Sequence, residues 1–326
     1  MNKILVIGAG SIGQRHIKSL INIGEQNIAV LRTGKGQMSE LNKDIKDFVQ
    51  IFTDEKIAFS WKPSHIVISN PTSLHMDFVI KAINKNISFL VEKPLCSSYR
   101  EIKKIPASND YYGIVGYNLR FHSLFNKIKD ILEKGCYGKI LKASLSVGHY
   151  LPFWHPEQDY SLRYEASKEL GGGVLRTLSH EIDLAQYFFG NFEKIFAKVK
   201  RISDLNIFAD DDVDIMALTK NNIFIKIHQD FLNPLISRKG EILFDTGLLE
   251  YNYIDGTIEF TSYKSAQKQI IFSAQEPYNC QYELQMKSFI AGHKGQACTI
   301  TEEINNMNVI RYCEESTLKG KEICLG

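Results

Sequence analysis

Gly8-Ala9-Gly10-Ser11-Ile12-Gly13 follows the apolar run Ile4-Leu5-Val6-Ile7 and opens a segment, 14–23, whose apolar residues recur at helical spacing. The pattern G-x-G-x-x-G is weak alone. Between a strand and a helix at the start of a β-α-β unit, each glycine acquires a task. Gly8 makes the tight turn, Gly10 lets the backbone approach a pyrophosphate, and Gly13 lets the helix pack closely on the strand. The backbone at Ser11 and Ile12 begins the helix, where unpaired amides and the positive end of the helix dipole favour phosphate. The stretch therefore predicts a Rossmann unit that binds a nicotinamide dinucleotide.

The rest of the N-terminal third extends the same pattern. Short apolar runs at 4–7, 28–31, 49–52, 65–69, 89–91 and 113–115 read as parallel strands covered by helices on both faces. Helical spacing returns at 74–84. After about Asn118 the rhythm changes. A helix is predicted over 124–132, a strand over 139–147, and a helix over 174–189. A strand-rich stretch follows over 194–272, with turn signals at Asn221-Asn222, Lys239-Gly240 and Asp255-Gly256. Helices over 278–291 and 302–316 close the chain. The expected fold is α/β: a Rossmann domain over 1–118, then an α+β domain over 119–326 on a mostly antiparallel open sheet, for substrate binding and oligomerisation.

Composition narrows the class. With 326 residues, 44% of them hydrophobic and 23% charged, the chain has the make-up of an ordinary globular protein of two domains. A formal charge of +2 gives no reason to expect nucleic acid or an anionic membrane as partner. No apolar stretch is long enough to span a bilayer. The six cysteines show no C-x-x-C pair and no zinc spacing, so no metal is expected. They read as reduced, mostly buried thiols of a cytoplasmic protein. Asp210-Asp211-Asp212 reads as a solvated loop.

The end of the second strand bears on the cofactor. An acidic residue roughly 20 positions beyond the glycines would bind a ribose 2′-hydroxyl. Here stand Leu31-Arg32-Thr33-Gly34-Lys35, and Arg32 and Lys35 suit a 2′-phosphate, one as a planar fork and the other as a point charge. NADP is the expected cofactor, with NAD the alternative.

Two further motifs stand at predicted strand ends: Asn70-Pro71-Thr72-Ser73-Leu74-His75 and Val91-Glu92-Lys93-Pro94-Leu95. With the glycine turn, and with Gly171-Gly172-Gly173 followed by His180-Glu181-Ile182-Asp183, the whole chain resembles the glucose-fructose oxidoreductase / inositol dehydrogenase (Gfo/Idh/MocA) family. The resemblance implies that Asn70, Pro71, Thr72, His75, Glu92 and Lys93 contact the cofactor. It also implies that Lys93 helps move the carbinol proton and that His180 is the acid/base. Independently, Lys93 lies at the carboxyl end of a parallel strand, the edge where open α/β sheets bind ligands. On a continuous helix over 174–189, Arg176, His180 and Asp183 would share one face. Many relatives carry an Asp three or four residues before the histidine, where this chain has Thr177 and Arg176. Either Asp183 orients the imidazole instead, or the substrate differs, or activity is reduced; retained catalysis is the expectation.

The stretch from His149 to Tyr164 is dense in aromatic and hydrogen-bonding groups suited to sugars. Trp154, Arg163 and Tyr164 of this stretch are candidate substrate contacts, together with Thr177 and His180, and with Tyr117, Asn118 and Arg120 lining the other side. The pattern Trp154, Pro156, Asp159, Tyr160 before Glu169–Gly173 resembles a subgroup tied to bacterial surface polysaccharides and sialic-acid-like sugars. The expected activity is NAD(P)-dependent hydride transfer to or from a carbinol carbon of a sugar or nucleotide sugar, by a homodimer or homotetramer. The alternatives are an epimerase that recycles a tightly held cofactor and a cofactor-binding sensor without turnover.

Overall fold

A computed structural model describes residues 2–32, 41–106, 111–277 and 279–325. In chain order the first elements are β1 (Ile4–Ile7), α1 (Ser11–Asn22), β2 (Ile28–Leu31), α2 (Lys43–Lys46), β3 (Val49–Phe52), α3 (Glu55–Ser60), β4 (His65–Ile68), α4 (His75–Asn84), β5 (Ser88–Val91) and β6 (Gly113–Val115). Next come α5 (Ser123–Lys134), β7 (Ile140–Gly148), α6 (Val174–Thr177), α7 (His180–Phe189), β8 (Phe192–Lys200), β9 (Asp212–Thr219), β10 (Phe224–Asp230) and β11 (Ser237–Phe244). The chain ends with β12 (Gly247–Asn252), β13 (Thr257–Ser262), β14 (Lys268–Ser273), α8 (Cys280–Ile290), β15 (Cys298–Thr299), α9 (Ile300–Lys319) and β16 (Ile323–Cys324).

Two compact units result: Met1–Phe121 with Pro277–Ile304, and His122–Glu276 with Asn305–Gly326. The sequence division into 1–118 and 119–326 differs from this partition by more than a shifted boundary. Pro277–Ile304 returns to the first unit because β15 pairs antiparallel with β6. Met286 and Phe289 of α8 also join the core formed by Ile4, Val6, Ile17, Leu20 and Val30.

In the first unit a seven-stranded sheet runs in the order β15-β6-β5-β4-β1-β2-β3, with β1 to β6 parallel. Val6 of β1 lies level with Val30 on one side and Val67 on the other. Strand order reverses between β1 and β4, so the carboxyl ends of these strands border the crevice where doubly wound sheets take ligands. Strands β1 and β2 are wholly buried, as the apolar runs predict. β3 is the exception: it is the edge strand, and Gln50 and Ile51 are exposed.

The second unit holds a nine-stranded sheet, β14-β13-β12-β11-β7-β10-β9-β8-β16. Among its pairings β7–β10 is parallel and the others are antiparallel. Alternation is clear on β9, where Val213, Ile215 and Ala217 are buried between exposed Asp214 and Met216. Helix α7 covers the apolar face over β7 and β10. Lys239-Gly240, expected as a turn, lies inside β11. A side chain at Gly240 would meet Ser144 O at 2.4 Å and the Tyr251 ring at 2.6 Å, so the glycine there serves packing. All six cysteines are free. Cys96, Cys298 and Cys313 are buried, Cys280 is half-buried, and Cys136 and Cys324 are exposed, fewer buried thiols than expected. No helix among the described residues is long and apolar enough to cross a membrane.

Candidate functional site

The glycine turn has the geometry its pattern predicts. Gly8 sits at φ +93, and a Cβ there would press on Asn70 N at 2.8 Å. A Cβ on Gly13 would lie 2.2 Å from Gly8 O, whereas one on Gly10 would meet nothing within 4 Å. Gly10 is the N-cap of α1 without a side-chain cap, and the first turn contains no acidic residue. Ser11 is exposed and Ile12 half-buried, so the helix start stays open to an anion. Asn70 Oδ1, at the carboxyl edge of β4, is buried without a hydrogen-bond partner. Open amides, a glycine with free space and an orphaned acceptor at the crevice fit a dinucleotide. Arg32 is half-buried just past β2, where its backbone N–H donates to Phe52 O at 2.9 Å. Thr33 and Lys35 lie outside the described residues.

Around the next two strand ends, backbone and side chains interlock. Pro71 is exposed and Thr72 buried in the turn that leads into α4. His75 is buried with Nδ1 2.9 Å from Pro94 O and Nε2 2.8 Å from Asn70 O, tying the turn after β4 to the turn after β5. Burial pushes its pKa below the ordinary histidine value, against the pull of the two carbonyls and of Glu92 and Glu101. Glu92 Oε1 lies 2.7 Å from His16 Nε2, and Glu92 Oε2 accepts the Lys93 backbone N–H at 3.2 Å. Burial pushes this carboxyl up, but the His16 hydrogen bond and the charges of His16 and Lys93 hold it below the usual carboxylate range. Lys93 is half-buried, and Leu95 N–H donates to Glu303 Oε1 at 3.0 Å. Tyr117, Asn118 and Arg120 are all buried, and the Arg120 guanidinium binds Glu302 Oε1 at 2.8 Å.

In the second unit the expected helix over 174–189 is two helices, α6 and α7. The buried Gln229 side chain donates its Nε2–H to Leu178 O at 2.6 Å, at the break between them. The shared face of Arg176, His180 and Asp183 is therefore lost. Arg176 pairs with Glu314 at 2.9 Å, and Asp183 Oδ1 accepts Asn306 Nδ2–H at 2.9 Å. His180, half-buried, is the first residue of α7, and Thr177, buried, is the last of α6. The next residue, Glu181, is fully buried and pairs with Arg238 Nε at 2.7 Å.

Asp210-Asp211-Asp212 is not a solvated loop. Asp210 O accepts Val174 N–H at 3.0 Å, and its carboxylate accepts Leu175 N–H at 2.8 Å. Asp211 is fully buried and takes the amides of Ile202 and Ser203. Asp210 and Asp211 thus cap backbone amides that would otherwise be orphaned.

The aromatic stretch is internally tied. Trp154 Nε1–H donates to His149 O at 3.1 Å, its ring stacks on His149, and its edge meets Phe231. Arg163 forks onto Glu165 at 3.1 and 2.6 Å and reaches Gln158 Oε1 at 3.3 Å, while Tyr164 is exposed. Sequence reading missed His16, Asp210, Gln229, Arg238 and Asn306. Of these only Asp210 carried a local signal, the acidic run itself. No group of three or more His, Cys, Asp or Glu among the described residues is placed to hold a metal.

Residues 2–115 match the family described as "Oxidoreductase family, NAD-binding Rossmann fold", and residues 125–250 match the "GFO/IDH/MocA C-terminal domain". The chain is similar to glucose-6-phosphate 3-dehydrogenase of Bacillus subtilis (strain 168), with 26% identity over 284 residues and 78% of each chain covered. It is also similar to myo-inositol 2-dehydrogenase of Thermotoga maritima, 22% identical over 345 residues, with 98% of this chain and 97% of that one covered. Levoglucosan dehydrogenase, solved in complex with NADH and levoglucosan, shares the fold at a TM-score of 0.86 and 16% identity, with 99% of each chain covered. An open glycine turn at the head of α1 and matches that run through both halves of the chain lead to one conclusion: the chain belongs to the Gfo/Idh/MocA family and is an NAD(P)-dependent oxidoreductase.

Proposed function

We propose that the protein transfers a hydride reversibly between a nicotinamide cofactor and a carbinol or ketone carbon of a sugar or polyol. The observation that carries this reading is the seating of Lys93. It directly follows β5 at the ligand-binding edge of the sheet, its backbone amide bound by Glu92 and the following carbonyl held by His75. When bound, the nicotinamide takes up the hydride or returns it. The protein's share is to hold the substrate hydroxyl and move its proton. Lys93 and His180 are the proton-carrying groups. A lysine does this near neutral pH only where burial and nearby positive charge favour its neutral form. An imidazole has a suitable intrinsic pKa without help.

In this reading Asp183 steadies α7 through Asn306, and Thr177 and exposed Tyr164 meet the substrate. Arg163 and Trp154 shape the site through their bonds to Glu165 and His149. Arg32 favours NADP over NAD. The relatives named for glucose 6-phosphate and myo-inositol support the sugar or polyol class. A role in surface-polysaccharide or nonulosonic-acid synthesis is supported by the Trp154–Gly173 pattern alone. Exposed Met216 and Phe224 on one face of the large sheet support a homo-oligomer.

The test is absorbance of the reduced nicotinamide when purified protein with NADP or NAD is offered a panel of sugars, sugar phosphates and polyols. Turnover on at least one is expected. Lys93→Ala and His180→Ala should each lower kcat by about 100-fold or more with cofactor binding retained. Tight cofactor binding without turnover on the whole panel would instead support a sensor.

A further inference from the structure

We propose that His16 is a positioning residue that acts on Lys93 through Glu92. His16 lies on α1, directly behind the glycine turn, and its ring is fully buried. Glu92 has two oxygens with two different duties: Oε1 faces His16 Nε2 at 2.7 Å, and Oε2 accepts the Lys93 amide at 3.2 Å. An ionised carboxylate has no proton to give, so the short contact requires the N–H on His16 Nε2. Room for the carboxylate comes from Gly116, where a Cβ would collide with it at 2.8 Å. Behind His16, Tyr282 of α8 packs edge-on at 5.7 Å, and its hydroxyl accepts from Arg15 at 3.3 Å. A line of contacts thus joins the helix under the pyrophosphate turn to the backbone of Lys93.

The arrangement has an electrostatic consequence. The Lys93 charge helps keep Glu92 ionised, and the coupling is reciprocal, so the Glu92 charge favours protonated Lys93. By holding Oε1, His16 fixes the orientation of that carboxylate and draws on part of its charge. The charged and titratable groups facing Glu92 are His16 on α1, Lys93 on its own turn and His75 on α4, while Tyr282 and Arg15 stand behind His16. Removing the His16 donor leaves the carboxylate charge less neutralised and so more favourable to protonated Lys93. Removing the Glu92 charge does the opposite.

The inference rests on the reading of Lys93 as a proton-carrying group, yet its test needs no substrate. The full chain is reductively dimethylated with carbon-13 formaldehyde, and the Lys93 signal, assigned by its loss in Lys93→Arg, is titrated by NMR. His16→Ala should raise the Lys93 midpoint and Glu92→Gln should lower it, each by about half a pH unit or more. His16→Gln, which keeps an N–H donor, should restore most of the wild-type value. If His16→Ala does not fold, His16→Leu fills a similar volume and reads the same effect. Midpoints that stay put, or that move in the same direction in the histidine and glutamate variants, overturn the proposal. Undiminished turnover in Lys93→Ala is a different result, and overturns the role of Lys93 instead.

Discussion

Asp210 holds the start of the short helix that leads to His180: its carboxylate accepts the Leu175 N–H at 2.8 Å and its carbonyl accepts the Val174 N–H at 3.0 Å. Burial pushes the Asp210 carboxyl above its ordinary pKa, and the Leu175 amide works against that shift. Asp210→Ala should cost about 1 kcal/mol as a lost helix cap, while Asp210→Asn, which keeps an acceptor, should cost less. Gly173→Ala attacks the same joint from the other side, since Gly173 sits at φ +96 and its Cβ would meet Asp210 Oδ1 at 2.4 Å. It should cost about 1–3 kcal/mol. Urea unfolding of the three variants checks the order, and a neutral Gly173→Ala would contradict it.

The glycine turn separates binding from folding. Gly10→Ala places a methyl in open space, so thermal stability should hold while the Kd for NADP and NAD rises about tenfold or more. Gly13→Ala forces a Cβ to 2.2 Å from Gly8 O and should lower Tm whether or not cofactor is present. Calorimetric titration and thermal melts of both variants read the two effects. Equal loss of Tm in both would show that Gly10 serves packing as Gly13 does.

Glu181 and Arg238 form an ion pair in which the carboxylate side chain is 1% exposed. Burial pushes the Arg238 pKa down, but the charge and hydrogen bond of Glu181 more than offset this and leave it raised. Removing one partner leaves a buried charge uncompensated, so Glu181→Leu should cost about 3–5 kcal/mol. The pair Glu181→Leu with Arg238→Met should recover most of that loss. A double-mutant cycle by denaturant unfolding measures the coupling, and additive losses would refute it.

Much of the first unit was readable because its strands are short, apolar and separated by helices, so one period switches cleanly to another. The glycine turn and the Glu92-Lys93-Pro94 motif lie just past β1 and β5, at the edge where open α/β sheets take ligands, which is why their place could be read without coordinates. The break between α6 and α7 leaves no mark in the local apolar spacing, and Gln229, which bonds Leu178 O there, lies on a strand 51 residues away. Asp210 and Asp211 looked solvated because acidic residues usually are, and only long-range contact reveals the amides they cap. The return of α8 and β15 to the first unit rests on a two-residue pairing with β6 and on Met286 and Phe289 in its core, neither of which a local pattern announces.

His228 links the large sheet to pH. Its Nε2 lies 3.2 Å from Asp230 Oδ2 and its Nδ1 lies 3.1 Å from Asp214 Oδ1, across β10 and β9. The Asp230 hydrogen bond, opposed by burial and joined by Asp214, pushes the His228 pKa up to about 9 from 6.5. Between those values the folded chain binds a proton that the unfolded chain has released. The stability contributed by charged His228 is therefore complete below about 6.5 and is lost as pH rises through about 9. Lys198 stands level with Asp214 and Lys200 with Asp212, so competing cations and salt weaken the effect at this half-exposed site. Tm followed across this range should fall more steeply in wild type than in His228→Gln, and Asp214→Asn should lower the imidazole midpoint seen by NMR. An imidazole that titrates at its ordinary value would remove the basis for this pH dependence.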